Sequence, residues 1–292
     1  MATIDAPARP LPGPGPSGNG RFEQRAPVPL PKRDPKWVQA ASQAWGVMRL
    51  AAGVAKALVT PPFSWRGEFV DQAWTLAKRA SIPAGISAFG FGYGAPGVQG
   101  SLIAELLGDP TRVAAIVGPA TVREQAVWIT GMVVAGVAGT AMCADLGARK
   151  VRDELAALQV MGVDPIRKLV APRVLALTLL MPALGVVVIT VEAFAILLAN
   201  LQVTATVGGY FEATSHSFTT IDLVANLVKT SLSGAIVGLV CCYKGMNAKG
   251  GPVGVGRAVN QAVVISFCLI WVLNYAFNST YLGAFPGAQA VR

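Results

Sequence analysis

The chain has 292 residues, 53% of them hydrophobic and only 13% charged, with 24 Lys and Arg against 15 Asp and Glu. That balance, with a mean hydropathy of +0.53, excludes an ordinary soluble domain and points to a bilayer. The net charge of +9 does not indicate a nucleic-acid partner, because the basic residues sit in tails and connections around apolar runs.

Residues 1–35 contain nine prolines and no apolar core segment, which predicts a disordered cytoplasmic tail and neither a signal peptide nor a folded unit. From Lys36 to Lys56, Trp37, Ala41, Trp45, Met48, Ala52 and Ala55 recur at helical spacing, and Pro61-Pro62 ends the run. Phe63 to Arg79 reads as a second, more charged amphipathic helix with Trp65, Phe69, Val70 and Trp74. The segment 36–80 is therefore expected to lie at the membrane surface.

Crossing a bilayer takes ~20 predominantly apolar residues. Five stretches qualify, at roughly 83–107, 126–144, 170–200, 223–243 and 260–282. They define an all-α polytopic membrane domain over 81–284, followed by a short tail, 285–292. The first stretch is rich in glycine and holds Pro96, so it is expected to kink or break, and the third contains Pro182. Arg149, Lys150, Arg152, Arg167 and Lys168 lie between the second and third stretches, and Lys244, Lys249 and Arg257 between the fourth and fifth. The connection 201–221 holds no Lys or Arg. By the positive-inside rule the two basic connections and the N-terminus are cytoplasmic and the C-terminus is outside.

The basic connection 145–168 is the most distinctive segment. Val151, Leu155 and Leu158 form one narrow apolar face, while Arg149, Lys150, Arg152, Asp153, Glu154 and Gln159 fill the rest. Arg149–Asp153 and Lys150–Glu154 are spaced to pair one turn apart. Gly162 is a stop, and Asp164-Pro165 a cap followed by proline at the first helical position, so a helix over about 147–162 and then a corner are predicted.

Few residues carry chemistry. Cys143, Cys241, Cys242 and Cys268 fall in or beside apolar runs without metal-ligand spacing and read as small buried residues. No phosphate loop, zinc-protease motif or nucleophile elbow occurs, so the chain is not expected to be an enzyme, to hydrolyse ATP or to need a cofactor. Gly250–Gly256 follows a span and reads as a tight turn, and the lone His216 is given no role. No internal repeat is evident. Ionisable residues at membrane depth are costly and hence candidates: Arg123 and Glu124 at the start of the second stretch, Lys229 in the fourth and Glu192 in the third. Lys229 lies roughly 9 Å below the surface by helical rise, shallow enough to snorkel. A cluster of Arg123, Glu124 and Lys229 at a cavity mouth would hold an anionic headgroup; a structural pairing between helices is the plain alternative.

Val122-Arg-Glu124, Ala144-Asp-Leu-Gly-Ala148, Asp153 through Ile166, Pro172-Arg-Val-Leu-Ala176, Cys242-Tyr-Lys-Gly245 and Lys249 through Arg257 occur in an order that resembles the MlaE/YrbE permeases of Mla- and Mce-type lipid ABC transporters. The resemblance runs from about Phe63 to Leu282. It implies an interfacial N-terminal helix, five spans, and a coupling helix comprising Arg149, Arg152, Asp153, Glu154, Leu155, Leu158, Met161 and Gly162 that docks on a cytoplasmic ABC ATPase. It also implies a second YrbE-type permease in a homo- or heterodimer, Mce-domain proteins on the outer side, a lipid substrate, and Arg123, Glu124 and Lys229 near a lipid cavity. Ala156 and Val137 depart from the family pattern, as in one member of an unequal permease pair. Two other readings stay open: an ion-coupled secondary transporter using Glu192, and a non-transporting membrane anchor of a cell-envelope complex.

Overall fold

The computed structural model describes residues 35–61, 65–106, 108, 112–203, 206–217 and 219–284. The tail read at the N-terminus, apart from Pro35, and the tail 285–292 lie outside the described residues. The chain divides into Met1–Ala40, where only the start of the first helix is described, and Ala41–Arg292, which holds every other element.

Helix α1 spans Lys36–Val59. Its buried residues are Leu50, Val54 and Ala57, at helical spacing against the main core, while Trp45 and Met48 are exposed. Trp45 and Met48 are thus turned away from the core, and a second apolar stripe docks the helix.

Helix α2 runs Arg66–Gly92 without interruption at Pro83. The amphipathic helix expected to stop near Arg79 and the start of the 83–107 stretch are therefore one helix, so the boundary drawn at 80 falls inside it. A π-helical stretch, Tyr93–Gln99, then leads into α3, Gly100–Leu106. The expected weakness of this glycine-rich segment takes the form of a π register around Pro96, whose missing N–H cannot sustain an α ladder.

Four helical runs are long and apolar enough to cross a membrane: Val117–Val151, Ile166–Asn200, Thr220–Met246 and Gly251–Thr280. They correspond to the last four expected spans; the 83–107 stretch is helical over its described residues, 83–106, but diluted by glycine, proline and polar residues. The first run joins α4 (Arg112–Ala120), α5 (Ala126–Val133) and α6 (Thr140–Val151) through π stretches at Thr121–Gln125 and Val134–Gly139. It begins nine residues before the expected 126, so Arg123 and Glu124 lie within it and not at its start. After a short α7 (Glu154–Val160) and a π stretch at Ile166–Val170 comes α8, Ala171–Asn200. The connection beyond contains a helix of its own, α9 (Val207–Ser217), in which His216 falls; α10 (Thr220–Met246) and α11 (Gly251–Ala284) complete the chain.

Helix α10 sits at the centre of the bundle because its glycines let backbones touch. A Cβ at Gly234 would stand 2.4 Å from the Leu177 carbonyl oxygen of α8, and one at Gly238 3.1 Å from the Val174 Cα. The Gly234-x-x-x-Gly238 spacing keeps both on one face, the small-residue contact that associates helices in lipid. Gly234→Val is expected to force α8 and α10 apart and cost several kcal/mol, as overpacking at a rigid backbone does; the yield of monodisperse protein after detergent extraction checks this. Cys143, Cys241 and Cys242 are buried as expected, but Cys268 is exposed on α11.

Candidate functional site

The segment 145–168 differs in detail from the single helix read over 147–162. Helix α6 carries span two on to Val151, Arg152 leaves the helix, and Asp153 adopts a left-handed conformation (φ 56°) before α7 starts. Asp is among the few non-glycine residues that accept this region. The break rewires the charges. Arg149 bonds Asp145 at 3.2 Å and lies 3.8 Å from Glu154, and Arg152 bonds Glu154 at 2.7 Å; the expected Arg149–Asp153 and Lys150–Glu154 pairs do not form. The hydrogen bond and charge of Glu154 hold the exposed Arg152 guanidinium above its ordinary range.

The far end is as the sequence reads. Gly162 has φ +76°, its N–H donates to Gln159, and the Val163 N–H donates to Leu158, a complete Schellman cap. The Asp164 carboxylate accepts from the Ile166 N–H at 2.9 Å, with Pro165 next in line. Leu155 is buried and Leu158 packs on the core, whereas Val160 and Met161, at 89% and 68% exposed, project from the end of α7. Behind them Asp145 of α6 accepts from Arg173 of α8 at 2.6 Å, with Arg173 only 2% exposed.

The second constellation joins three of the four membrane-depth candidates. In the π stretch Thr121–Gln125, Arg123 grips Asp222 of α10 with two bonds, of 2.8 and 3.2 Å. Lys229 of α10 donates to the Arg123 carbonyl, to Asn274 Oδ1 at 2.8 Å and to Asn278 Oδ1 at 2.9 Å; its ammonium is 3.8 Å from Glu124. Both asparagine amides of α11 in turn donate to the Glu124 carboxylate. Asn226 Nδ2 donates to the Val122 carbonyl. Backbone carbonyls of the π stretch thus serve as acceptors for α10 side chains, a use suited to a loosened helical ladder.

Lys229 does not snorkel. It is 2% exposed and turned inward, because two amide oxygens, a carbonyl and a carboxylate satisfy it where lipid would not. Charges in the cluster balance, Arg123 and Lys229 against Glu124 and Asp222, so it is a neutral interhelical lock with Arg123 and Glu124 at its part-exposed edge. Glu192 does not join it. It is fully buried on α8, where a Cβ on Gly92 would meet its Cγ at 2.7 Å, and its carboxylate oxygens have no hydrogen-bond partner among the described residues.

On the other side of the same π stretch lies a cavity of about 520 Å³. Thr121, Val122, Ile189, Phe194, Leu197 and Phe211 are among its lining residues, and no charged side chain is among the described ones. Helix α9 closes it, anchored by Tyr210, whose hydroxyl donates to the Ala193 carbonyl at 3.0 Å and whose phenol burial pushes up to about 12. Such a space suits hydrocarbon.

Sequence reasoning missed Asp222, Asn226, Asn274 and Asn278, and did not assign roles to Asp145 and Arg173. Two signals were present: Thr219-x-x-Asp222 is a capping-box pattern that the structure forms, and Asn274 and Asn278 are amides one turn apart within an apolar run.

Residues 69–280 match the family described as permease MlaE. The chain is 32% identical over 172 residues to a probable ABC transporter permease protein of Rickettsia felis, covering 58% of this chain and 66% of the relative. It is 32% identical over 183 residues to the chloroplastic protein trigalactosyldiacylglycerol 1 of Arabidopsis thaliana, covering 62% and 51%. With the intermembrane phospholipid transport system permease protein MlaE of Haemophilus influenzae it shares 24% over 190 residues, covering 64% and 73%. The matched part spans less than two thirds of the length of the Rickettsia relatives. The match over most of the helical bundle makes the assignment plain: the chain belongs to the MlaE permease family.

Proposed function

We propose that the chain is the membrane-spanning permease subunit of an ABC-type lipid transporter, driven by ATP hydrolysis on a separate cytoplasmic subunit. The observation that carries this is α7. A short helix outside the candidate spans buries Leu155 against the bundle, carries the Arg152–Glu154 pair at its start and presents the exposed Val160 and Met161 at its other end. That is the make-up of a protein-docking surface. Family membership and the relatives' names supply the partner class: a nucleotide-binding subunit receives α7, and the basic connections and the N-terminus face it in the cytoplasm.

The cargo is a lipid whose chain occupies the apolar cavity between α8, α9 and the Thr121–Gln125 stretch, with its headgroup at the exposed edge of Arg123 and Glu124. A second permease and Mce-type proteins on the outer side complete the assembly. Val160→Glu tests the docking role. The side chain makes no intramolecular packing that its loss would break, so the variant should insert normally while co-purification of the ATPase falls by roughly tenfold, as for an interface hot spot. Undiminished co-purification and transport would remove α7 from the coupling role.

Glu192 favours a second reading, an ion-coupled carrier, through its burial without a hydrogen-bond partner. The two readings diverge on Glu192→Gln: a carrier loses transport outright, whereas an ATP-driven permease keeps it because the amide preserves the shape packed against Gly92.

A further inference from the structure

A second cavity, of about 400 Å³, lies between the Gln43 turn of α1, the end of α10 and the start of α11. Lys244, Lys249 and Arg257 line it together with Gln43, Asn247 and Gln261, and no carboxylate does among the described residues. Among the described residues none of these three cations belongs to an ion pair. Lys244 is instead held by two neutral acceptors, Gln43 Oε1 at 2.6 Å and Gln261 Oε1 at 3.1 Å. Amide oxygens orient the ammonium without neutralising it, and leave its third proton unclaimed by either amide. Three positive charges converging on one recess repel each other unless an anion joins them.

The depth of the recess says what kind of anion. Its walls are the last turn of the candidate span Thr220–Met246 and the first turns of the candidate span Gly251–Thr280, where headgroups lie. Beside it α1, whose Gln43 faces the recess, leaves Trp45 and Met48 exposed on its opposite face, the make-up of a helix lying at a membrane surface. Gly245 packs on Cys143 and Leu146, and Gly147 on Val255, so the recess opens at the end of the bundle that carries α7.

We propose that this recess binds a phosphate group, that of an anionic phospholipid in the leaflet on the α7 side, as a bound lipid distinct from the transported one. The inference needs only a membrane-spanning bundle and is independent of which cargo the permease carries. A phosphodiester offers acceptors to Lys244, Lys249 and Arg257 at once, and its acyl chains extend into the adjoining apolar layer.

The test is native mass spectrometry of the full chain released from phosphatidylcholine nanodiscs containing a minor fraction of phosphatidylglycerol. The wild type should retain phosphatidylglycerol, and the exposed double variant Lys249→Gln/Arg257→Gln should retain roughly tenfold less or lower. Lys168→Gln, which removes a cation at the same end but outside the recess, should retain as much as wild type, and the swap Lys249→Arg/Arg257→Lys should restore binding. Equal retention by the double variant overturns the site. Displacement by millimolar inorganic phosphate with no preference for phosphatidylglycerol overturns the lipid assignment and makes the recess a soluble-phosphate site. Neither result bears on whether α7 docks an ATPase.

Discussion

Asp145→Ala is expected to destabilise the permease by about 3 kcal/mol, the lower part of the range for breaking a buried pair. Arg173 is almost wholly buried, and Asp145 is its acceptor at 2.6 Å; its Nε and Nη1 have no hydrogen-bond partner among the described residues. Removing the carboxylate leaves a guanidinium in a low-dielectric seam with nothing to answer it. The estimate sits at the lower end because the Asp145 side chain is 41% exposed and water reaches that side of the pair. Asp145→Asn keeps an oxygen in place and should cost less. Asp145→Ala combined with Arg173→Met should regain most of the loss, since no charge remains to be orphaned. Thermal unfolding of the purified protein measures all three; a double variant no more stable than Asp145→Ala would contradict the pairing argument. The location gives the pair a mechanical consequence. Helices α6 and α8 are the two arms that α7 joins, and this bond ties their ends; if α7 docks a partner as proposed, a push on it would be delivered to two spans together.

Lys229→Met should reduce lipid transfer by roughly tenfold or more, because it strips the central cation from a four-charge cluster at membrane depth. Glu124 then faces Asn274 and Asn278 without its counter-charge, and the Arg123 carbonyl loses its donor. The π stretch that carries Arg123 and Glu124 also walls the apolar cavity through Thr121 and Val122, so loosening one face of it disturbs the other. Structural and functional losses are separable. Lys229→Met with Glu124→Gln restores electrical balance between the two and should recover folding, measured as thermal stability, while transfer in proteoliposomes stays low. Recovery of transfer along with stability would make the cluster a structural lock alone.

How much of this was legible depended on whether the cause was local. The Schellman cap at Gly162 and the Asp164-Pro165 start could be read directly, because each is set by residues within one turn. Four spans were equally legible from apolar run length, whereas the start of span two was not, since the polar stretch Thr121–Gln125 interrupts the run and only its bonds to α10 and α11 reconcile it with a continuous span. The break at Arg152-Asp153 had no local signal: Val151, Arg152 and Glu154 suit a continuous helix, and only in the folded chain does the turn bury Leu155 against the bundle. The π stretches were likewise hidden, except near Pro96. For the site, intramembrane charge pointed to Arg123, Glu124 and Lys229, and the structure unites them. It did not predict that α11 amides would bridge them, nor that Glu192, which has the same rarity, stands apart. Cost alone marks a buried charge; only tertiary packing assigns its partner.

We propose that this bundle moves lipid only when a partner hydrolyses ATP against α7. Fluorescent-lipid transfer from proteoliposomes holding the chain, with and without its co-purifying ATPase, should then require both the ATPase and ATP and should be abolished by Val160→Glu; transfer by the chain alone, indifferent to ATP, would overturn that reading.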